Sequence, residues 1–247
     1  MKYKTIKYKK KGFIAYIILD LQESDLSICD CMCTELLDVC DIISQDNSAN
    51  VVVIKISGET FSFGATNEAN ATICEAINAI ACLGKIVVAI IDGDAIGEGL
   101  ELALACDVRI ASDRSRFALP NVAGGSIPSS GGTQRLPRLI GQAKALELIL
   151  TANIIDAAEA FRIGLVQKIV PFQDVDKEAD IMVKKIAEKA PIALRFCKEA
   201  VNKGMDLTFE QGLRFEADLY FLIQTTSDRM EGIKAFLEKR TPIFKGE

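Results

Sequence analysis

Two glutamates three positions apart, Glu98 and Glu101, stand in "DGDAIGEGLELALACD", residues 92–107, where glycines flank the first and Leu and Ala surround the second. Burying an unpaired charge is costly, so a carboxylate in such a run either has an ion-pair partner or is pushed toward its neutral form. The first option makes Glu101 structural, paired with an arginine such as Arg109 or Arg135; the second makes it a working acid/base. N–H groups at the start of the helix that follows Gly97 lack intrahelical partners and carry the positive end of its dipole, which suits an oxyanion. A second such place is "FSFGA", residues 61–65, directly after an apolar run at 50–58, because glycine lets backbone approach a ligand closely. Two loops that each give one N–H to a single oxygen form the oxyanion hole that acyl or enolate chemistry needs.

Other chemistries find little support. The chain has no histidine, which removes Ser-His and Cys-His arrangements and any histidine base. "GEGLEL" has Leu102 where a dinucleotide fingerprint needs its third glycine, and "SSGGTQR" (129–135) lacks the Gly-Lys-Ser/Thr of a phosphate-binding loop. The eight cysteines, including Cys29, Cys31 and Cys33 in "CDCMC", form no C-x2-C pair. They read as free thiols acting as small hydrophobes, and no metal is expected.

The elements that must hold these residues alternate. "FIAYIILDL" (13–21) reads as a strand, 25–45 as an amphipathic helix, 50–58 as a second strand and 71–83 as a helix. "KIVVAIIDG" (85–93) is almost wholly apolar and reads as a strand buried on both faces. A helix over 98–106, a strand over 107–112, a helix over 142–151 and a last strand over 165–171 follow. From Val175 onward the pattern is helical, broken at Ala190-Pro191 and at Gly204, with a final helix over 228–240. The expectation is an α/β core with a helical C-terminal region, divided as 1–190 and 191–247.

Composition bounds the partners. Of the 247 residues 49% are hydrophobic and 26% charged, enough for a sizeable core, and the net charge of −5 argues against nucleic acid. Lysines at 2, 4, 7, 9, 10 and 11 fit a solvated edge strand better than an anion site. No apolar run approaches the roughly 18 residues that span a bilayer, and no secretion signal is visible, so a soluble cytoplasmic protein without a membrane partner is expected.

Taken in order, "FSFGA", "DGDAIGEGLELALACDVRIAS", "RFALPNVAGGSIPSSGGTQRLPRLIG" and "AFLEKRTPIF" resemble the successive signatures of the enoyl-CoA hydratase/isomerase (crotonase) superfamily, over nearly the whole chain. The resemblance implies a spiral of repeated ββα units with a C-terminal helical trimerisation region, in a homotrimer or dimer of trimers. It implies an acyl-CoA ligand, with coenzyme A as part of the substrate and no further cofactor. By motif, the backbone N–H groups of Phe63 and Glu98 would polarise the thioester carbonyl, with Gly64, Ala65, Gly97 and Gly99 shaping the loops. Glu101 matches the first of two glutamates that activate water in the hydratases. Phe236 and Lys239, in "AFLEKRTPIF", would touch coenzyme A.

Two positions depart from that pattern. The second hydratase glutamate falls on Asn121, whose amide binds water or a substrate oxygen but does not exchange a proton as a carboxylic acid does. Glu98 replaces the middle glycine of a Gly-Gly-Gly run. Its charge would oppose an enolate unless the side chain turns to solvent or stays protonated; alternatively it supplies the missing second carboxylate, or is a solvent-facing glutamate favoured by the helix dipole. "FSFGA" is also similar to cyclic dienoyl-CoA hydratases of aromatic-acid degradation, and "SDLSIC" replaces the usual Asn-Ala-Leu near the N-terminus, leaving the nucleotide contacts open. The leading expectation is an enoyl- or dienoyl-CoA hydratase. A decarboxylase or isomerase of the same superfamily, or a non-catalytic acyl-CoA-binding subunit, are the alternatives.

Overall fold

A computed structural model of the chain describes residues 3–20, 30–57 and 71–247. The first strands, β1 (Ile6–Lys11) and β2 (Ile14–Asp20), pair antiparallel; β3 (Val51–Ser57), β4 (Ile86–Ile91), β6 (Val108–Ser112) and β9 (Lys168–Val170) then add in parallel, giving the order β1-β2-β3-β4-β6-β9. The lysine-rich segment is the edge strand, with Ile6 buried and the lysines turned outward. Charged residues along an unpaired edge discourage strand addition from another chain.

Alternating residues of the parallel strands feed two cores. Val52, Ile54, Val87, Ala89 and Ile91 face one side, where they meet α1 (Asp30–Gln45) and α2 (Ala71–Cys82). Val51, Val53, Val88, Ile90 and Ile110 face the other, where α7 (Val175–Ala187) covers them with Val175, Ala179 and Val183. That is why these strands read as unbroken apolar runs rather than as alternation.

A second sheet escapes the sequence reading. Its strands, β5 (Ala95–Ile96), β7 (Arg116–Ala118) and β8 (Ile155–Asp156), are ordered β5-β7-β8. With it the repeating unit becomes visible. β4 and β5 lead into α3 (Glu98–Ala105), and β6 and β7 lead through a 3-10 turn, Pro120–Gly124, to α4 (Gly132–Ile140). Each unit puts one strand in the large sheet, one in the small sheet and a helix beyond. Two helices also go unread in the sequence: α4, which carries Pro137 inside it and follows a Gly/Ser/Pro-rich stretch, and α6 (Ala157–Arg162), too short for a clear apolar period. Helix α5 (Gln142–Thr151) lies between them.

After α7 come α8 (Pro191–Gly204), α9 (Phe209–Ile223) and α10 (Ser227–Leu237). The proline at the first position of α8 and the Thr208 capping box of α9 account for where these helices start. Among the described residues no helix is long and apolar enough to cross a membrane.

Candidate active site

Every residue of α3 is buried, Glu98 and Glu101 included. A helix apolar all round belongs in a core, and this one lies between the two sheets' connections with its N-terminus at β5. Gly97 caps it with φ 59°, a left-handed value that a side chain would strain. The first intrahelical bond runs from Glu101 N to Gly97 O, so the N–H groups of Glu98, Gly99 and Leu100 precede the ladder. Gly97 N donates in turn to Ala118 O at 3.0 Å, tying the helix start to β7.

Glu101 is fully buried at 0% exposure, and among the described residues it has no ion-pair partner. Its Oε1 accepts from Ser130 N at 2.7 Å and Gly132 N at 2.8 Å. Gly132 is the first residue of α4, so the carboxylate sits at a helix N-terminus that favours negative charge. Its Oε2 is buried and has no partner. One oxygen is thus clamped by two backbone N–H groups, while the other is buried without a hydrogen-bond partner among the described residues. Burial raises the pKa of Glu101; the Gly132 and Ser130 N–H groups and the Arg135 guanidinium oppose that, and the neighbouring Glu98 adds to it.

The arginine-partner reading of Glu101 does not hold. Arg109 turns away, donating through Nη1 to Cys106 O at 2.6 Å and Ala103 O at 3.2 Å, and through Nε to Leu165 O at 2.8 Å. It caps the C-terminal end of α3. Arg135 donates to Ser130 O and to Asn78 Oδ1, both at 2.7 Å, and so braces the loop that clamps Glu101. Sequence reasoning missed Ser130 and Gly132 because their contribution is a backbone N–H. The signal available was the glycine pair before α4, where Gly131 adopts φ 101° and caps the helix.

Glu98 is not a solvent-facing glutamate. It is 9% exposed, its Oε2 is buried without a partner, and burial raises its pKa, offset in part by its own backbone N–H. Three residues apart on one helix, Glu98 and Glu101 lie on the same face. Asn121 lies in the 3-10 turn, with its Oδ1 buried and unpartnered. That turn starts beside the clamped carboxylate: a Cβ placed on Gly132 would meet Glu101 Oε1 at 3.0 Å and Leu119 Cδ1 at 3.1 Å. The Ser130 hydroxyl is a fourth buried polar group without a partner. Among the described residues these four buried polar atoms have no hydrogen-bond partner, which is uncommon for buried polar groups, and they lie on α3, on the 3-10 turn and just before α4.

The remaining candidates are placed elsewhere or not at all. Gly99 lies within α3. Phe63, Gly64 and Ala65 lie outside the described residues. Phe236, near the end of α10, is 82% exposed, and Lys239 just beyond it is exposed with φ 55°. Burial pushes the Cys40 and Cys106 thiols up to about 12, which makes them poor nucleophiles. Among the described residues no group of three or more Cys, Asp or Glu is placed to hold a metal.

The enoyl-CoA hydratase/isomerase family model matches residues 9–247. A protein of Dictyostelium discoideum named probable mitochondrial enoyl-CoA hydratase is 35% identical, covering 96% of this chain and 89% of its own length. The crotonyl-CoA hydratase of Syntrophomonas wolfei is 34% identical, covering 99% of both chains. The enoyl-CoA hydratase structure from Bacillus anthracis superposes with a TM-score of 0.93 at 35% identity, over 99% of this chain and 100% of that one. The chain belongs to the enoyl-CoA hydratase/isomerase family, with that family's α/β fold and helical C-terminal region.

Proposed function

We propose that the protein reversibly adds water across the double bond of an enoyl-CoA thioester. The observation that carries this reading is Glu101: a fully buried carboxyl with one oxygen held by two backbone N–H groups and the other left unbonded. The thioester oxygen is received at the start of α3, by the Glu98 N–H together with the Phe63 N–H, the latter assigned from the family motif. Negative charge builds on that oxygen as water attacks the β-carbon, and fixed dipoles in a dry site stabilise it without reorganising. Glu101 Oε2 takes the proton from the attacking water, a role suited to a carboxyl whose pKa burial has raised and which is therefore a stronger base than a solvated one. The Asn121 amide orients the water or a substrate oxygen, which its unpartnered Oδ1 supports.

Coenzyme A enters as part of the substrate, and no other cofactor is needed for these steps. The exposed apolar side chains of α9 and α10 support assembly into a homotrimer or dimer of trimers, and Phe236 and Lys239 are assigned to the coenzyme A contact. One observation favours a second reading. Asn121 does not supply the second carboxyl of ordinary hydration, whereas loss of CO2 from a carboxyacyl-CoA needs the enolate hole alone. Mass spectrometry of the protein incubated with crotonyl-CoA and a panel of dienoyl- and carboxyacyl-CoAs separates the two. Gain of one water is the expected result, and loss of CO2 with no hydration would move the protein to the decarboxylases.

A further inference from the structure

The two carboxyls of α3 suggest how hydration proceeds without an acid at position 121. Adding water moves two protons: one must leave the attacking water, and one must reach the α-carbon. Asn121 can do neither. Glu101 can take the first proton, but a second group is needed if both ends of the double bond are served in one passage. Glu98 meets the requirements. The residue is 9% exposed, its Oε2 is buried without a partner among the described residues, and it shares a helix face with Glu101, close enough for its charge to act on that carboxyl. Ion-pair partners would fix Glu98 as an anion, and none is present among the described residues.

We infer that the Glu98 side chain is the second proton-transfer group of the site, the acid that protonates the α-carbon while Glu101 accepts the proton of the attacking water. This rests on the hydratase reading above. The water oxygen bonds to the β-carbon as Glu101 takes one of its protons and the double-bond electrons move into the thioester enolate. The enolate pair then takes the proton of the Glu98 carboxylic acid at the α-carbon, and the thioester carbonyl reforms. Glu98 is left ionised and Glu101 protonated, and passage of one proton from Glu101 to Glu98 resets the pair.

The environments sort the roles. Glu101 has two backbone N–H donors and the positive influence of Arg135 from α4, which favour its ionised form. Glu98 has only its own backbone N–H to offset burial. That N–H is the one assigned to the thioester oxygen, so a bound substrate takes it and leaves the Glu98 carboxyl with no donor, favouring the protonated form. The charged groups acting on the pair, among the described residues, are Arg135 and the two carboxyls themselves. The charge of Glu98 disfavours ionisation of Glu101.

The test is hydration of crotonyl-CoA by the full-length protein and its Glu98→Gln and Glu98→Gly variants, with kcat, KM and the pH profile of each. Glu98→Gly returns the motif's usual glycine and guards against a variant that misfolds. In both, kcat should fall by more than about 10-fold, toward the 10²–10⁴ range of general acid catalysis, with KM changed less than about 3-fold. The alkaline limb of the wild-type kcat profile, where Glu98 loses its proton, should vanish, leaving the acid limb of Glu101. A fall of less than 10-fold in either variant, or a larger one with the alkaline limb intact, overturns the inference while leaving the hydratase reading standing. A wild-type protein that hydrates none of the thioesters fails the hydratase reading first.

Discussion

Glu101 is held by hydrogen bonds to backbone, and this makes its position sensitive to a residue without a side chain. Gly132 gives one of the two N–H groups, and a Cβ there would stand 2.9 Å from Pro128 Cβ and 3.0 Å from Glu101 Oε1. Gly132→Ala should therefore push the carboxyl or the start of α4 aside. A displacement of about 1 Å costs on the order of 10²-fold in rate, so kcat for hydration should drop by that much while the protein still folds, as read by steady-state kinetics beside a melting curve. The buried acids also carry a stability cost that depends on pH. Burial raises the pKa of Glu98 above its unfolded value, so its favourable contribution is complete below the ordinary carboxylate range and is lost as pH rises through the folded value. Glu98→Gln should be more stable than wild type at pH 7–8. A gain of about 1 kcal/mol corresponds to roughly 2–4 °C in Tm for a chain of this size, and the difference should close as pH falls toward about 4. Melting both proteins across that range checks it.

At the scale of elements, α3 is the part on which the site depends, and Arg109 fastens its far end. The guanidinium bonds three backbone carbonyls, two at the end of α3 and one, Leu165 O, before β9, while Gln167 Oε1 accepts from its backbone N–H at 2.9 Å. Ala103 O would keep the Cys106 N–H, but Arg109→Leu would take away the donor of Cys106 O and of Leu165 O, which costs on the order of 1–3 kcal/mol for each group. The variant should lose at least about 3 kcal/mol in chemical denaturation, with activity per folded molecule falling as well because α3 loosens. The elements that carry the site were unequally legible. Strands β3 and β4 show in the sequence because burial on both faces makes them unbroken Val/Ile runs. Strands β5 and β8 are two residues long, and β7 three, too short for any period to register. Glu101 stood out as a carboxylate in an apolar helix. Its true partners did not, since a backbone N–H leaves no mark on residue type, and the arginines offered by the sequence bond carbonyls instead. The burial of Glu98 was likewise invisible, because a glutamate at a helix start is ordinarily a solvated one.

At the scale of the whole molecule, the C-terminal helices are fastened to the core by polar contacts of α8 and leave apolar surface elsewhere. Lys198 of α8 donates to Asp107 Oδ2 at 2.8 Å and Lys85 O at 2.9 Å, and Asp107 Oδ2 also accepts from Val87 N at 2.7 Å, linking α8 to β4 and to the turn before β6. Beyond that contact Phe209, Phe221, Leu222, Met230, Phe236 and Leu237 are exposed. So many large apolar side chains on one helical region mark an interaction surface rather than a solvated one. Light scattering after gel filtration should give a trimer or hexamer, and Phe221→Glu should shift the distribution toward monomer. A wild-type protein that runs as a monomer at micromolar concentration would remove the oligomer from the account.

The role proposed for Glu101 is to move a proton to and from water at a thioester whose carbonyl is held by the start of its own helix. It is tested most directly by measuring kcat for hydration of crotonyl-CoA, and the affinity for the same thioester, in wild type and Glu101→Gln. The amide keeps the acceptor for Ser130 and Gly132 but cannot exchange the proton. The account predicts a fall in kcat of about 10³-fold or more with affinity changed less than about 3-fold. A Glu101→Gln protein that hydrates crotonyl-CoA at the wild-type rate would contradict it.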